Sequence, residues 1–265
     1  MNQTGLTRRL AHLPLAGIRY FDQTGSTNDD ALAWAAQGAR DGSLVVADSQ
    51  TTGRGRLQRR WITRPGTSLA FSLVLRPSLA EKQRLGLFSP LAALAVCQVL
   101  REEYHLNAEI KWPNDVLINR RKVCGILVEA GWLGEELQAV VVGVGVNVAS
   151  SALEPADVLL YPATSIEVAL GRLVEREGLL AAILQSLFTW RQHLTQPHFI
   201  AEWEKRLAFR GEEVEVEPVG SAKRVGRIIG VDLAGSLLLL DEHGMEVRVM
   251  AGDVHLRPVE EEKKP

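Results

Sequence analysis

Residues 138–148, QAVVVGVGVNV, limit the fold of this chain more than any other stretch. Valine is stiff at its first side-chain torsion and fits a pleated strand better than a helix. A strand that is apolar on both sides of its pleat must be covered on both faces, so it belongs in the middle of a sheet with packing above and below. Gly143 and Gly145 interrupt the valines. Glycine inside a strand lets a neighbouring backbone or a ligand come close.

Shorter runs supply strands to pair with it: 43–48 (SLVVAD), 69–75 (LAFSLVL), 108–112, 115–118 and 122–130 (KVCGILVEA). Asn119 and Arg120 turn the fourth of these into the fifth. Ser26-Thr27-Asn28 followed by DDALAWAAQ and Gly38 reads as an N-cap, an acidic first turn, an alanine-rich helix and a glycine stop. The segment 85–100 is too long for an ordinary strand and dense in Ala and Leu, so it reads as a buried helix. Further helices are expected near 165–170, 177–194 and 199–207. After Arg210 the pattern changes to short β-rich runs (EEVEVEP, RVGRIIGVD, GSLLLLD, MEVRVMA) separated by Gly-containing turns. That is the signature of a small barrel appended to an α+β body. The expected division is 1–208, 209–260 and a charged tail at 261–265.

Bulk properties exclude several classes. Hydrophobic content of 46% and charged content of 23% are those of an ordinary soluble globular protein. A net charge of −2 lacks the broad positive field of a non-specific nucleic-acid binder. Cys97 and Cys124 sit in apolar segments without metal-ligand spacing, and the 6 histidines form no zinc motif. No metal site is therefore assigned, and the thiols are expected to be buried and inert. No secretory leader and no unbroken run of eighteen apolar residues are present. The expected location is the cytoplasm, without a membrane partner.

Two motifs carry chemistry. In 53–61, GRGRLQRRW, Arg54, Arg56, Arg59 and Arg60 crowd beside Gly53 and Gly55, with Trp61 at the end. Guanidinium forks match phosphate and carboxylate geometry, and glycines let such a loop curve over a ligand. In 111–118, KWPNDVLI, Lys111 ends a short apolar run and Pro113 turns the chain. Read alone, Lys111 is an ordinary strand-end lysine and Asn114 and Asp115 are turn residues. Asn147 is equally a strand-end turn residue or an amide placed to read a base edge. Nothing matches a P-loop, and GVGVN opens no helix, which argues against a Rossmann site. There is no Ser–His–acid pattern and no exposed cysteine motif, so catalysis would come from electrostatics and positioning.

Taken together, STN at Ser26–Asn28, Gln50, GRGR with Trp61, KWPND, KVCGILVE, GVGVN and the C-terminal GRIIGVDLAGSLLLL resemble the biotin protein ligases over nearly the whole chain from about residue 20. The resemblance implies an α+β fold: a class II synthetase-like biotin/lipoate ligase domain with a seven-stranded mixed sheet, plus an SH3-like barrel. It implies that biotin and ATP are joined as biotinoyl-5′-AMP and that biotin is then passed to a lysine of a biotin carboxyl carrier domain of acetyl-CoA carboxylase. Biotin would be held by Ser26, Thr27, Asn28, Gln50, Gly53, Arg54, Gly55, Arg56, Lys111 and Gly125. The adenylate would be held by Arg54, Arg56, Trp61, Lys111, Asn114 and Asn147, with Lys111, Arg56 and Arg54 as the catalytic cations. Mg²⁺ would accompany ATP. The chain reaches the ligase motifs too soon for the DNA-binding module of many bacterial members, so no sequence-specific DNA binding is expected. A homodimer, weak or ligand-induced, is compatible with the family. Where the family's loop usually has glycine this chain has Gln58; if that position needs a positive φ, the closed loop would be strained. A lipoate or octanoate ligase or transferase, and a non-catalytic biotin sensor, are the alternative readings.

Overall fold

The computed structural model describes residues 1–61, 63–153, 161–218, 222–250 and 254–258, with the backbone alone at 58, 218 and 254–258. The 261–265 tail lies outside the described residues. The larger sheet has seven strands: β1 (Gly17–Thr24), β2 (Ser43–Gln50), β3 (Ser68–Leu75), β4 (Ala108–Lys111), β5 (Asp115–Ile118), β6 (Arg121–Leu133) and β7 (Glu136–Asn147). They lie in the order β1-β2-β3-β7-β6-β5-β4. The β1–β2 pair is parallel and every other pair antiparallel, so the sheet is mixed. As its composition requires, β7 is central, between β3 and β6.

The helices are α1 (Gln3–Arg9), α2 (Thr27–Ala36), α3 (Leu79–Lys82), α4 (Phe88–Glu102), α5 (Ile166–Leu170), α6 (Arg176–Arg191) and α7 (Pro197–Glu204). Helix α4 packs on β4–β7 with one side and on α6 with another. The stretch Leu85–Glu102 is long and apolar enough to cross a membrane by length and composition alone, yet 67% of it is buried inside the fold. On the opposite face α2 lays Ala31 and Ala35 against Val45, Val74, Ala139 and Val141. Small side chains let this helix come down close to the sheet. Its start follows the sequence closely: Ser26 is the N-cap, Asp29 and Asp30 fill the first turn, and Gly38 follows the end with φ 90°.

Several boundaries differ from expectation for local reasons. The helix expected from residue 85 begins at Phe88, because Leu85–Leu87 is a separate 3-10 turn with Gly86 at its centre. Strand β6 runs on to Leu133, forming a hairpin with β7 that closes at Gly134, φ 59°. Asn119 and Arg120 both take positive φ (48° and 61°), as a tight two-residue hairpin turn demands. Helix α1 and strand β1 carry no alternation that announces them; β1 is a half-covered edge strand, with the Gln3 side chain bonded to Ile18 O and Tyr20 N.

The smaller sheet contains β8 (Glu213–Pro218), β9 (Arg224–Val231), β10 (Leu237–Leu240), β11 (Glu246–Val249) and β12 (Val254–Pro258), in the order β11-β10-β9-β8-β12 and antiparallel throughout. It is consistent with an SH3-like unit. Polar contacts fasten it to the larger body. Trp112 Nε1 donates to Gly235 O at 3.0 Å, Arg84 Nη1 to Leu233 O at 2.9 Å, and Val231 N to Glu204 Oε1 at 3.0 Å.

Trp112→Phe keeps most of the buried ring but strands the Gly235 carbonyl. It is expected to lower unfolding stability by about 1–3 kcal/mol, read as a shift in the urea midpoint at unchanged slope. The thiols supply a second check. Cys97 and Cys124 are both buried and unpaired. Burial pushes Cys97 up to about 12 and raises Cys124 as well. A raised thiol pKa means the neutral form at pH 8, so both should resist alkylation in the folded protein and react once denaturant is added. Rapid labelling of either in the native state would contradict this burial.

Candidate active site

Side chains alternate along a strand, so residues two apart share a face. Gly143 and Gly145 on β7 therefore both face α2. Their cross-strand partners are Ser72 and Ala70 on β3, and Leu127 and Gly125 on β6. The result is a trough of small residues just beyond the N-terminus of α2. A Cβ at Gly143 would lie 2.0 Å from Asn28 Oδ1, and one at Gly145 would lie 2.4 Å from Trp61 Cε2. No larger residue fits at either position without moving its neighbour.

The start of α2 supplies one end of the trough. Ser26, Thr27 and Asn28 are 3%, 4% and 4% exposed, unusually buried for polar residues at a helix start. Gln50 Oε1, at the end of β2, accepts from Thr27 N (2.8 Å) and Thr27 Oγ1 (3.1 Å). Ser72 Oγ sits 2.8 Å from Thr27 Oγ1 and 2.6 Å from Asn28 Oδ1. Asn28 Nδ2 donates to Leu127 O (3.2 Å) and to Glu129 Oε2 (2.7 Å). These bonds fix several hydroxyls and amides side by side.

The arginine loop is a small hairpin laid over the trough. Trp61 N donates to Gly53 O at 2.8 Å, Gly55 N to Arg59 O at 2.7 Å, and Arg54 bridges Arg60. A Cβ at Gly53 would lie 2.4 Å from Trp61 O, so the hairpin closes only because that residue is glycine. The positive φ in its turn falls on Leu57 (φ 56°, ψ 39°), next to the position expected to be strained; the Gln58 side chain lies outside the described residues. Three side chains pin the hairpin. Arg54 Nη2 reaches Asp29 Oδ1 and Glu129 Oε2, the latter at 3.0 Å. Arg56 Nη1 donates to Asn114 Oδ1 at 3.1 Å. Trp61 lies on Gly125 and Gly145, and its Nε1 is buried without a hydrogen-bond partner.

What remains is a cleft lined by Ser26, Thr27, Gln50, Trp61, Asn114 and Lys122, among others, with a cavity of about 50 Å³. Ser26, Thr27, Asn28, Gln50, Arg54, Gly55, Trp61, Asn114 and Gly125 all line this cleft. Gly53 sits at the base of the hairpin and Arg56 at its tip. Lys111 and Asn147 stand apart from the lining. Lys111 is 8% exposed with Nζ 3.7 Å above the Tyr161 ring, and Asn147 Nδ2 donates to Thr164 O at 3.2 Å.

Sequence reasoning passed over Lys122, the lysine that does line the cleft. Its Nζ is 2.6 Å from Asp115 Oδ1 and 5.8 Å from the centre of the Trp61 ring. The available signal was its place at the head of KVCGILVE, three residues before Gly125, in a segment that already carried part of the family resemblance. Glu129 and Ser72 were also passed over, since nothing in a strand pattern separates a buried network residue from a solvated one.

With the geometry in view, comparison with known proteins identifies the class. The profile of the Biotin/lipoate A/B protein ligase family matches residues 20–147. The chain is 36% identical over 237 residues to the biotin–[acetyl-CoA-carboxylase] ligase of Paracoccus denitrificans, covering 85% of this chain and 95% of that protein. It is 33% identical over 240 residues to the bifunctional ligase/repressor BirA of Bacillus subtilis (strain 168), covering 89% and 73%. Among solved structures, the biotin protein ligase from Aquifex aeolicus in complex with biotin and ATP superposes with a TM-score of 0.79 at 28% identity, covering 92% of this chain and 100% of the other. The chain belongs to the biotin/lipoate A/B protein ligase family, and within it to the biotin protein ligases.

Gly145→Ala should lift Trp61 from its seat, because the added methyl meets the ring well inside van der Waals contact. The expected stability loss is about 1–3 kcal/mol, together with faster tryptic cleavage at Arg59 and Arg60. An unchanged cleavage rate would mean that the ring does not hold the hairpin down.

Proposed function

We propose that this chain joins biotin to ATP, giving biotinoyl-5′-AMP and pyrophosphate, and then passes biotin to a lysine of a biotin carboxyl carrier domain. The observation that carries this reading is the polarity of one cleft. At one end, buried hydroxyls and amides (Ser26, Thr27, Asn28, Gln50) suit a neutral ureido head that needs both donors and acceptors. Lys122, and Arg56 at the hairpin tip, suit a carboxylate and a phosphate. Family membership and likeness to ligases bound to biotin and ATP support the same reading.

The chemistry follows from that arrangement. A carboxylate oxygen of biotin attacks the α-phosphorus while the bond to pyrophosphate breaks; in the second step the acceptor amine attacks the acyl carbon and AMP leaves. Both anions of the first step need neutralising and holding in line, a task of electrostatics and position. Lys122 carries the ammonium at the cleft, and its ion pair with Asp115 orients it. Lys111, whose strand partner is Asp115, and Asn147 would meet the nucleotide beyond the cleft's rim. Trp61 would cover the adenylate once ligand reshapes the hairpin. Among the described residues no group of three His, Cys, Asp or Glu could hold a metal by itself. A Mg²⁺ ion arriving on ATP would keep several of its waters and need one or two carboxylates at most. There the ion would neutralise phosphate charge.

ATP–pyrophosphate exchange with purified protein tests the reading. Exchange is expected with biotin and not with lipoate or octanoate. Exchange with lipoate or octanoate instead would move the chain to the sister activity, and binding of biotin without exchange would favour a sensor. Lys122→Ala should reduce exchange by about 10²–10³-fold, the scale for one lost electrostatic donor. A loss below about threefold would remove Lys122 from the mechanism and return Lys111 to first place.

A further inference from the structure

The geometry points to Arg54 as a positioning residue that acts through Asp29 and Glu129, latching the hairpin over the cleft, and not as a ligand for the substrate's anionic groups. The inference rests on the ligase reading above and reassigns a single residue within it.

Arg54 lines the cleft, and its guanidinium is engaged by carboxylates of the scaffold. Its Nη2 is shared between Asp29 Oδ1, in the first turn of α2, and Glu129 Oε2 on β6. Both partners belong to the scaffold. Glu129 faces α2 from the same side of β6 as Gly125 and Leu127, and it also accepts from Asn28 Nδ2 at 2.7 Å. Asn28 in turn packs on Gly143 and bonds Ser72. One carboxylate thus ties the first arginine of the hairpin to the floor of the cleft.

Two features argue that this contact serves function. The Arg54–Asp29 pair is exposed, with side chains 41% and 56% accessible, and pairs of that kind contribute little to global stability. Two carboxylates beside a cleft for anionic ligands would also repel them unless neutralised. Arg54 does the neutralising through Nη2, while Arg56, at the hairpin tip, is bonded to Asn114. With Arg54 fixed at one side, Trp61 on the glycine floor and Arg56 on Asn114, the hairpin is held at three points.

The test separates the latch from direct ligand binding by sign. Biotinoyl-5′-AMP would be loaded on wild type, Arg54→Ala, Asp29→Asn, Glu129→Gln and the double carboxylate variant, and its release followed by chase. A latch predicts release at least tenfold faster in both Arg54→Ala and the double carboxylate variant, with no further gain when all three changes are combined. If Arg54 instead grips the adenylate, neutralising the carboxylates frees it, and release slows or stays at the wild-type rate; either result overturns the proposal. Asp29→Asn changes an exposed side chain and so guards against a Glu129→Gln variant that fails to fold. A wild type that forms no adenylate would count against the ligase reading alone. Tryptic cleavage at Arg59 and Arg60 in the ligand-free double variant would still report on the latch: faster cleavage supports it and an unchanged rate overturns it.

Discussion

The site depends on the absence of side chains at three points on one face of the sheet. Gly125, Gly143 and Gly145 form a bare patch where Asn28 and Trp61 come within contact distance of backbone. Helix α2 reaches the sheet because its inner face is alanine, and its N-terminus ends over that patch. Without the glycines, Asn28 could not sit where it bonds both Ser72 and Glu129, and the row of hydroxyls and amides at the helix start would have no fixed geometry. Val142, Val144 and Val146, which alternate with the glycines of β7, point to the other face and form the core against α4. One strand therefore carries two unrelated jobs, divided by the pleat.

Over this patch the hairpin forms a roof. Its backbone bonds are few, and what shapes it is the set of anchors at Arg54, Arg56 and Trp61. All three anchor on residues that line the cleft or bond to its lining.

Much of this is legible in the sequence. The central strand, the capped helix at Ser26, the turn at Asn119-Arg120 and the loop of arginines are written in local chemistry: branching, capping, positive φ and charge. Local chemistry is silent about partners. Lys122 and Lys111 look alike as strand-end lysines, and the sheet's register alone places the first on the cleft and the second against Tyr161. The arginines look like four equivalent cations; only the carboxylates of α2 and β6, 25 and 75 residues away from Arg54, distinguish it. Strand β1 escapes notice because a half-covered edge strand has no alternation to read.

Trp112 shows how two duties can share one motif. It stands between Lys111 and the Pro113-Asn114 turn, yet its indole is a joint to the smaller sheet through Gly235. A substitution there disturbs the hinge side of the motif first and the chemistry only by transmission. An inactive Trp112 variant would thus speak about how two sheets are fastened together, and activity alone would misattribute the damage to the reaction. The smaller sheet, remote in sequence from every cleft residue, in this sense belongs to the bench on which the reaction is set up.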